Sequence, residues 1–520
     1  MHHTLTTSRT EFDTTLTTHT VVPVCRELFT DADTPVSIYR KVAASRQGTF
    51  LLESAEQGGV FTRFSFVGAG SFGQLTERDG MAEWIPSDQS PISAERLLPG
   101  GVSHLQPVEA LRQVMQHWRQ APTAGLAPLV SGFVGYLGWQ TVRQFERLPE
   151  PSVPGPGIPS QVLQFVSELV VIDHREGSVV LVANALADQP PQGITQDADE
   201  LWLDAQRRLD EMQRALSSQV ASPLAEVDRT AKPEPTRLTS SAEFIAQVQR
   251  AQNYIVDGDI FQVVPSQRFD EPCSADPLDV YRVLRHLNPS PYLYLLQLHD
   301  AQGVPFSVVG SSPEALVTVH EDRSVLTHPI AGSRPRGASV DEDLQHERDL
   351  LADEKERAEH LMLVDLARND LLRVCEPASV DVTEFMRIER FSHIMHISST
   401  VEGTLRPEFN AVDALRSTFP AGTLSGAPKP RALEIIDELE PVQRGVYGGV
   451  VGYFGLAGSA DLAIAIRTAT IKDGVAMVQA GAGVVADSVA ESEDAECASK
   501  AAAPLRAVAI ANSLERLPAS

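Results

Sequence analysis

Apolar residues recur in this chain with two spacings, which divide it into strands and helices. The runs TFLLES (49–54), FTRFSFVG (61–68), QVLQFVSELVVIDH (161–174) and GSVVLVANAL (177–186) are β-branched and aromatic, alternating or almost wholly apolar. That is the pattern of strands buried on one or both faces. The last two meet at REG (175–177) and read as a pair. Similar runs return late in the chain as VYGGVVGYFG (446–455), LAIAIRTATI (462–471) and VAMVQAGAGVV (475–485). The three-and-four spacing of helices occupies EALRQVMQHW (109–118) and DELWLDAQRRLDEMQRAL (199–216). TSSAEFIAQVQRAQNYIVDGDI (239–260) adds a Ser/Thr cap to that spacing. One long helix is expected over about 342–372 and another from near Ala490.

Between these lie segments without either rhythm. The Thr-rich stretch 1–20 is expected to be disordered, LPEPSVPGPGIP (148–159) is a loop, and 217–237 is a polar, Pro-containing linker. This divides the chain into an N-terminal region, 21–216, and a second unit, 238–517. The fold class is α+β with large, mainly antiparallel sheets. GAGSFG (68–73) has the spacing of a dinucleotide-binding loop, but the polar QLTERDG that follows is no helix. It reads as a glycine-rich turn between strands, and no phosphate-binding P-loop is present.

Composition narrows the functions. Among 520 residues, 69 Asp and Glu outweigh 43 Lys and Arg, for a net charge of −26. A general nucleic-acid surface is excluded, and local basic segments gain meaning because they attract anions against the overall field. HPIAGSRPRG (328–337), with two arginines and two glycines, is one such segment. Cys25, Cys273, Cys375 and Cys497 are far apart, so neither a zinc site nor a disulfide framework is expected, and a reducing cytoplasm is the simplest setting. No run of 18 apolar residues suggests a membrane span, and the polar start lacks a signal-peptide core.

The candidate chemistry lies in the second half. Glu359, Leu363 and Leu366 fall on one helical face, as do Glu493, Glu496 and Lys500. These are either solvated acidic faces or a site for a hard cation such as Mg²⁺, which takes one or two protein carboxylates. PIAGSRPRG, AGTLSGAPKPRALEII and VQAGAGVVADS are either tight turns or N–H-rich cradles for an anion. In FSHIMHISS, His393 reads as structural, and His396 is a candidate acid or base.

LLES (51–54), NPSPYLYLL (288–296), GSSPEALV (310–317), PIAGSRPRG, AEHLMLVDLARNDL, GTLSGAPK, YGGVVGYFG, IRTATI and VQAGAGVVADS together span residues 51 to about 503. In combination they resemble the anthranilate synthase large subunits of the chorismate-utilising enzyme family. The resemblance implies a large α/β sandwich of two packed, mainly antiparallel sheets with outer helices, in which the two regions interleave. It implies a lyase reaction: ammonia adds to C2 of chorismate, the 4-hydroxyl leaves, and pyruvate is eliminated from aminodeoxyisochorismate to give anthranilate, the first step of tryptophan biosynthesis. Mg²⁺ would be held by Glu359 and Glu496, with Glu493 more distant. Glu314 would be the general acid, His396 would serve the elimination, and Thr423 would lie beside the substrate. Gly332, Ser333, Tyr447, Arg467 and the backbone of Gly481, Ala482 and Gly483 would bind it. Ser54, Pro291, Tyr292 and Leu293 would form a regulatory tryptophan site, with Leu293 where the motif usually has Met. Ser333 likewise stands where Thr is usual.

Two positions choose among relatives. Ala331 stands where aminodeoxychorismate synthases carry a nucleophilic lysine. Gln262 stands where isochorismate- and salicylate-forming relatives carry a lysine that activates water. None of the cysteines sits on a Gly-flanked turn of the kind a glutaminase nucleophile needs. The resemblance therefore implies a partner glutamine amidotransferase subunit, in a hetero-oligomer. A 4-aminating enzyme, or a non-catalytic tryptophan-binding regulator, is the alternative.

Overall fold

The computed structural model describes residues 5–30, 33–54, 63–88, 90, 92–121, 125–149, 153–187, 197–218, 224–390 and 394–516. Among the described residues, twenty strands join in one continuous hydrogen-bonded network whose strand-to-strand pairings are antiparallel. The network folds back on itself as a sandwich, and alternate residues of single strands enter different cores. In the strand Tyr292–His299, Tyr294, Leu296 and Leu298 point into the inner core, while Leu293 and Leu295 point to the outer one. The strand Val450–Gly455 gives Val451 and Tyr453 to the inner core, and Val450 and Phe454 to a second outer core. Helices Pro35–Val42, Ala198–Ser217, Pro277–Leu287 and Ala490–Asn512 cover one outer face.

Long-range pairing ties the two halves together. Gly132–Leu137 pairs with Val450–Gly455, and Thr49–Glu53 with the strand Tyr292–His299. The sequence division at 217–237 is thus not a division between separate bodies. That segment itself carries two short strands: Ala225–Glu226 pairs with Glu515–Arg516, and Thr236–Arg237 pairs with Phe269 and Asp270.

Three local expectations are corrected. Residues 1–20 are not wholly disordered, because Arg9–Leu16 is a helix. Ser8 and Glu11 form a reciprocal capping box, and Phe12 and Leu16, one turn apart, are buried. Each such burial stabilises by about 1.5–3 kcal/mol, which offsets the low helix propensity of the threonines. GAGSFG is not a turn, since it lies inside the strand Phe64–Arg78. There the register against Gln161–Asp173 shifts three times between Gly68 and Gly73, so the glycines serve bulges. The helix expected over 342–372 is two, Val340–Ala352 and Glu354–Leu372. Asp353 leaves helical geometry at ψ 109°, and its carboxylate accepts from the backbone N–H groups of Lys355 and Glu356, capping the second helix.

Candidate active site

Segments distant in sequence meet at a cavity of about 410 Å³. Glu314 enters it from the link between the strands Pro305–Ser312 and Ala315–Val319. Its carbonyl accepts from Ile464 N at 3.0 Å, and Ser312 Oγ donates to Ile464 O at 2.6 Å. The link is thereby fixed to the neighbouring strand. Thr423 Oγ1, in the 3₁₀ turn Gly422–Leu424, donates to Glu314 Oε1 at 3.3 Å. Burial pushes the Glu314 carboxyl up to about 7, against the opposing pull of Thr423 and Lys500. A carboxyl poised there can give up a proton at neutral pH.

His396 lies on the strand Ile394–Thr404, facing the bulged strand Ile330–Pro335. The bulge falls between Ala331 and Ser333, where Gly332 takes φ +65°, and a Cβ there would meet Glu356 Oε2 at 3.0 Å. This kink presents Gly332 O to His396 Nδ1 at 3.0 Å. A carbonyl only accepts, so Nδ1 carries the proton and Nε2 is the basic nitrogen of the neutral ring. Burial holds the imidazole below its ordinary pKa, which favours that neutral form. His393 lies outside the described residues.

Arg467 joins the cavity from the link between the strands Ala460–Ile464 and Thr468–Lys472, with φ +52°. A left-handed arginine costs conformational energy and is a recognised mark of functional positions. Its Nη1 donates to Lys500 O at 2.7 Å, and burial holds its pKa below the ordinary value. Tyr447 faces Gly481, where a Cβ would stand 2.9 Å from the Tyr447 hydroxyl and 2.7 Å from Pro265 O. Gly483 comes equally close to Gln262, and a Cβ there would stand 3.0 Å from its amide nitrogen. Ala482 is different: it is fully buried and its N–H donates to Pro265 O at 3.2 Å. That N–H is spent inside the protein, so Ala482 is a packing residue rather than part of an anion cradle. Gly332 and Ser333 also line the cavity.

Glu359 of one helix and Glu493 and Glu496 of the other face the same cavity, with Glu356 beside them. Burial, then the charge of Glu356, raises the Glu359 carboxyl, and Glu496 adds to the effect. Gln262 Nε2 donates to Glu359 Oε1 at 3.4 Å, and Lys500 Nζ pairs with Glu496 Oε1 at 2.6 Å. Four carboxylates against Lys355, Lys500 and Arg334, which pairs with Glu356 at 3.3 Å, leave this rim short of positive charge. Among the described residues no group of three or more His, Cys, Asp and Glu closes into a metal cage. The donor set fits a hard cation that keeps open positions for water and substrate, rather than a caged structural metal.

The sequence reading overlooked Lys355 and gave Lys500 no role beyond its helical face, although each lies four residues from a named glutamate. It set Gln262 and Ala331 aside as missing lysines, and both line the cavity. The loop arginines do not line it, although Arg334 reaches its rim through Glu356 at 3.3 Å. Arg334 bonds to Asp353 at 2.8 Å and Arg336 to Asp343 at 2.8 Å, anchoring the loop to the two helices. Ser54, Pro291, Tyr292 and Leu293 lie apart from the cavity. Glu53 opposes Leu293 in register, so Ser54 and Tyr292 follow at the same strand end. Tyr292 donates to Asp461 Oδ1 at 3.0 Å, Leu293 is buried, and Ser54 Oγ is buried without a hydrogen-bond partner among the described residues.

This chain matches the family of chorismate binding enzymes over residues 55–506. It belongs to that family. It is 49% identical over 506 residues to anthranilate synthase component 1 of Arthrobacter globiformis, covering 96% of this chain and 92% of that one. It is 50% identical over 510 residues to the component 1 of Mycolicibacterium smegmatis, covering 98% and 95%. Among solved structures, anthranilate synthase component I from Streptococcus pneumoniae superposes with TM-score 0.70 at 32% identity, covering 92% of this chain and 99% of that one. A menaquinone-specific isochorismate synthase from Escherichia coli shares the fold, with TM-score 0.65 at 18% identity, covering 98% and 100%. Among the described residues no helix is long and apolar enough to cross a membrane.

Proposed function

We propose that this chain is a lyase that converts chorismate and ammonia to anthranilate and pyruvate, the first committed step toward tryptophan. The observation that carries the reading is the company kept by Ala331 and Gln262. Both line the cavity that holds Glu314 and His396, so neither position offers a lysine to attack the ring or to activate water. Lys500 is committed to Glu496 and to Gly481 O at 3.1 Å. Ammonia is then the nucleophile at C2. Glu314 gives its proton to the departing 4-hydroxyl, which leaves as water. His396 takes the C2 proton as the C3–O bond breaks and the ring aromatises, and the departing enolpyruvate takes up a proton at its methylene carbon to become pyruvate. Arg467 and Tyr447 hold the side-chain carboxylate, with Gly481 and Gly483 allowing close approach. Glu359 and Glu496 would hold Mg²⁺, which when bound neutralises the substrate's ring carboxylate.

Ammonia reaches the cavity from a glutamine amidotransferase subunit in a hetero-oligomer, and tryptophan acts at the strand end of Ser54, Pro291, Tyr292 and Leu293. That Ser54 Oγ has no partner among the described residues supports that placement. Four buried free cysteines suit a reducing cytoplasm. The test is to supply the purified chain with chorismate, Mg²⁺ and either ammonium or glutamine, and to follow anthranilate fluorescence. Turnover with ammonium alone is expected; glutamine-driven turnover without a partner would rule out the separate subunit.

A further inference from the structure

A second cavity, of about 600 Å³, lies on the outer face between the helices Pro35–Val42, Pro277–Leu287 and Ala490–Asn512. Its charged lining is of one sign. Arg40, Lys41, Arg229, Arg282, Arg285 and Arg506 face it, with His286, and among the described residues no Asp or Glu does. This is unexpected in a chain of net charge −26. The carboxylates that answer these cations stand behind the wall. Asp279 serves Arg40, Arg282 and Arg516, Lys41 pairs with Asp33, and Arg285 pairs with Glu53. Asp276 also acts on Arg40 through space, so among the described residues four carboxylates stand against seven cations, counting Arg516. Arg506 donates to the carbonyl of Arg229 at 3.2 Å rather than to an acid. Burial, then the charge of Arg282, holds the Arg40 guanidinium below its ordinary pKa, a sign of cations crowded together.

Helix geometry explains part of this. Arg40, Lys41, Arg285 and His286 sit in last helical turns, where cations meet the negative end of the helix dipole. Arg229, Arg282 and Arg506 are outside any last turn. The remaining wall is mainly apolar, with Val36, Val283, Leu287, Ile510 and Leu514 beside the hydroxyls of Thr34 and Ser37. The volume is that of a site for a small organic molecule.

We propose that this cavity is a binding site for an organic polyanion, an apolar body carrying phosphate or carboxylate groups. Guanidinium forks match both groups bidentately. The site is separate from the catalytic cavity and needs nothing of the proposed reaction. It does touch one neighbour: Arg285 lines it and also holds Glu53, which precedes Ser54 and opposes Leu293. An anion that draws Arg285 away therefore acts on that strand end.

The test is calorimetric titration of the full chain with 1-naphthyl phosphate. Saturable binding at one per chain is expected, weakening with added salt. Competition by inorganic pyrophosphate and weaker binding of neutral 2-naphthol are also expected. The double variant R229Q/R506Q should lose about tenfold or more in affinity. Among the described residues neither side chain holds a carboxylate, and R229Q alone, in an exposed segment, should show a smaller loss in the same direction. R467Q, in the catalytic cavity, should leave the affinity within about twofold. The proposal is overturned by an absence of saturable binding at millimolar concentrations. Unchanged affinity in the double variant, or a loss that follows R467Q instead, would overturn it equally.

Discussion

The catalytic cavity and the strand end at Ser54 and Tyr292 are built on the same ladders, yet they treat their polar groups in opposite ways. In the cavity, burial outweighs the hydrogen bonds that oppose it. Glu314 is pushed up to about 7, His396 is held down, and Arg467 is both depressed and left-handed. At the strand end, polar groups are matched. Tyr292 donates to Asp461, which also accepts from Thr318 at 3.1 Å, and Glu53 takes Tyr281 and Arg285. Only Ser54 Oγ waits for a partner among the described residues. Burial also raises Asp461 to about 6 and Tyr292 well above its ordinary value, so the regions differ in where the perturbed groups face: those of the cavity toward open space, those of the strand end toward each other. The two regions are joined through one strand, Ala460–Ile464, which carries Asp461 at one end and holds the Glu314 link at the other.

Changes in the cavity should therefore cost catalysis, and changes at the strand end should not. The largest effect is expected for Glu314→Gln, a fall of about 10³-fold in kcat with tryptophan affinity intact, measured by steady-state kinetics and calorimetry. The wild-type rate should fall as pH rises through about 7, because the proton donor is then lost. Stability follows the same sign. The neutral buried carboxyl is tolerated below its ordinary value of 4.5, and stability is lost as pH rises through about 7. Glu314→Gln should therefore gain melting temperature over wild type at pH 8 but not at pH 4. Glu496→Gln should abolish the Mg²⁺-dependent part of turnover, read by titrating Mg²⁺ after chelator treatment, again with tryptophan binding retained.

His396→Asn comes next, at about 10²-fold, with the aminated intermediate accumulating in chromatographic traces. The smallest effects belong to the strand end. Tyr292→Phe removes one hydrogen bond to Asp461, costing about 1 kcal/mol of stability and weakening tryptophan inhibition, with kcat within about twofold. Equal catalytic losses in both regions would erase the distinction drawn between them.

The sequence carried some of this picture openly. Strand and helix rhythms placed the ladders at 161–186 and 446–485 and the helices at 199–216 and 239–260, because these elements bury regular apolar faces. The helix break at Asp353 was hidden because aspartate on a solvated face and aspartate as a cap look alike in a string. The N-terminal helix was legible in principle, as the capping pair Ser8 and Glu11 precedes Phe12 and Leu16, but the threonines masked it. Motif resemblance named Glu314, Thr423, His396 and Arg467, and the structure brings them to one cavity. No local pattern could show that Thr423 reaches Glu314 across 109 positions, or that Ala482 turns its N–H inward. Such facts come from pairing between distant strands, which spacing along a chain does not encode. The basic outer cavity was invisible for the same reason, since its cations come from three helices and a loop.

The reading rests on ammonia attacking C2 in a cavity without a ring-attacking lysine. The most direct measurement is nuclear magnetic resonance of the product formed by the purified chain from chorismate, Mg²⁺ and ¹⁵N-ammonium. The label should appear on the carbon next to the ring carboxylate, in anthranilate, with pyruvate released in equal amount. Label at the position opposite the carboxylate, or unlabelled isochorismate, would refute it.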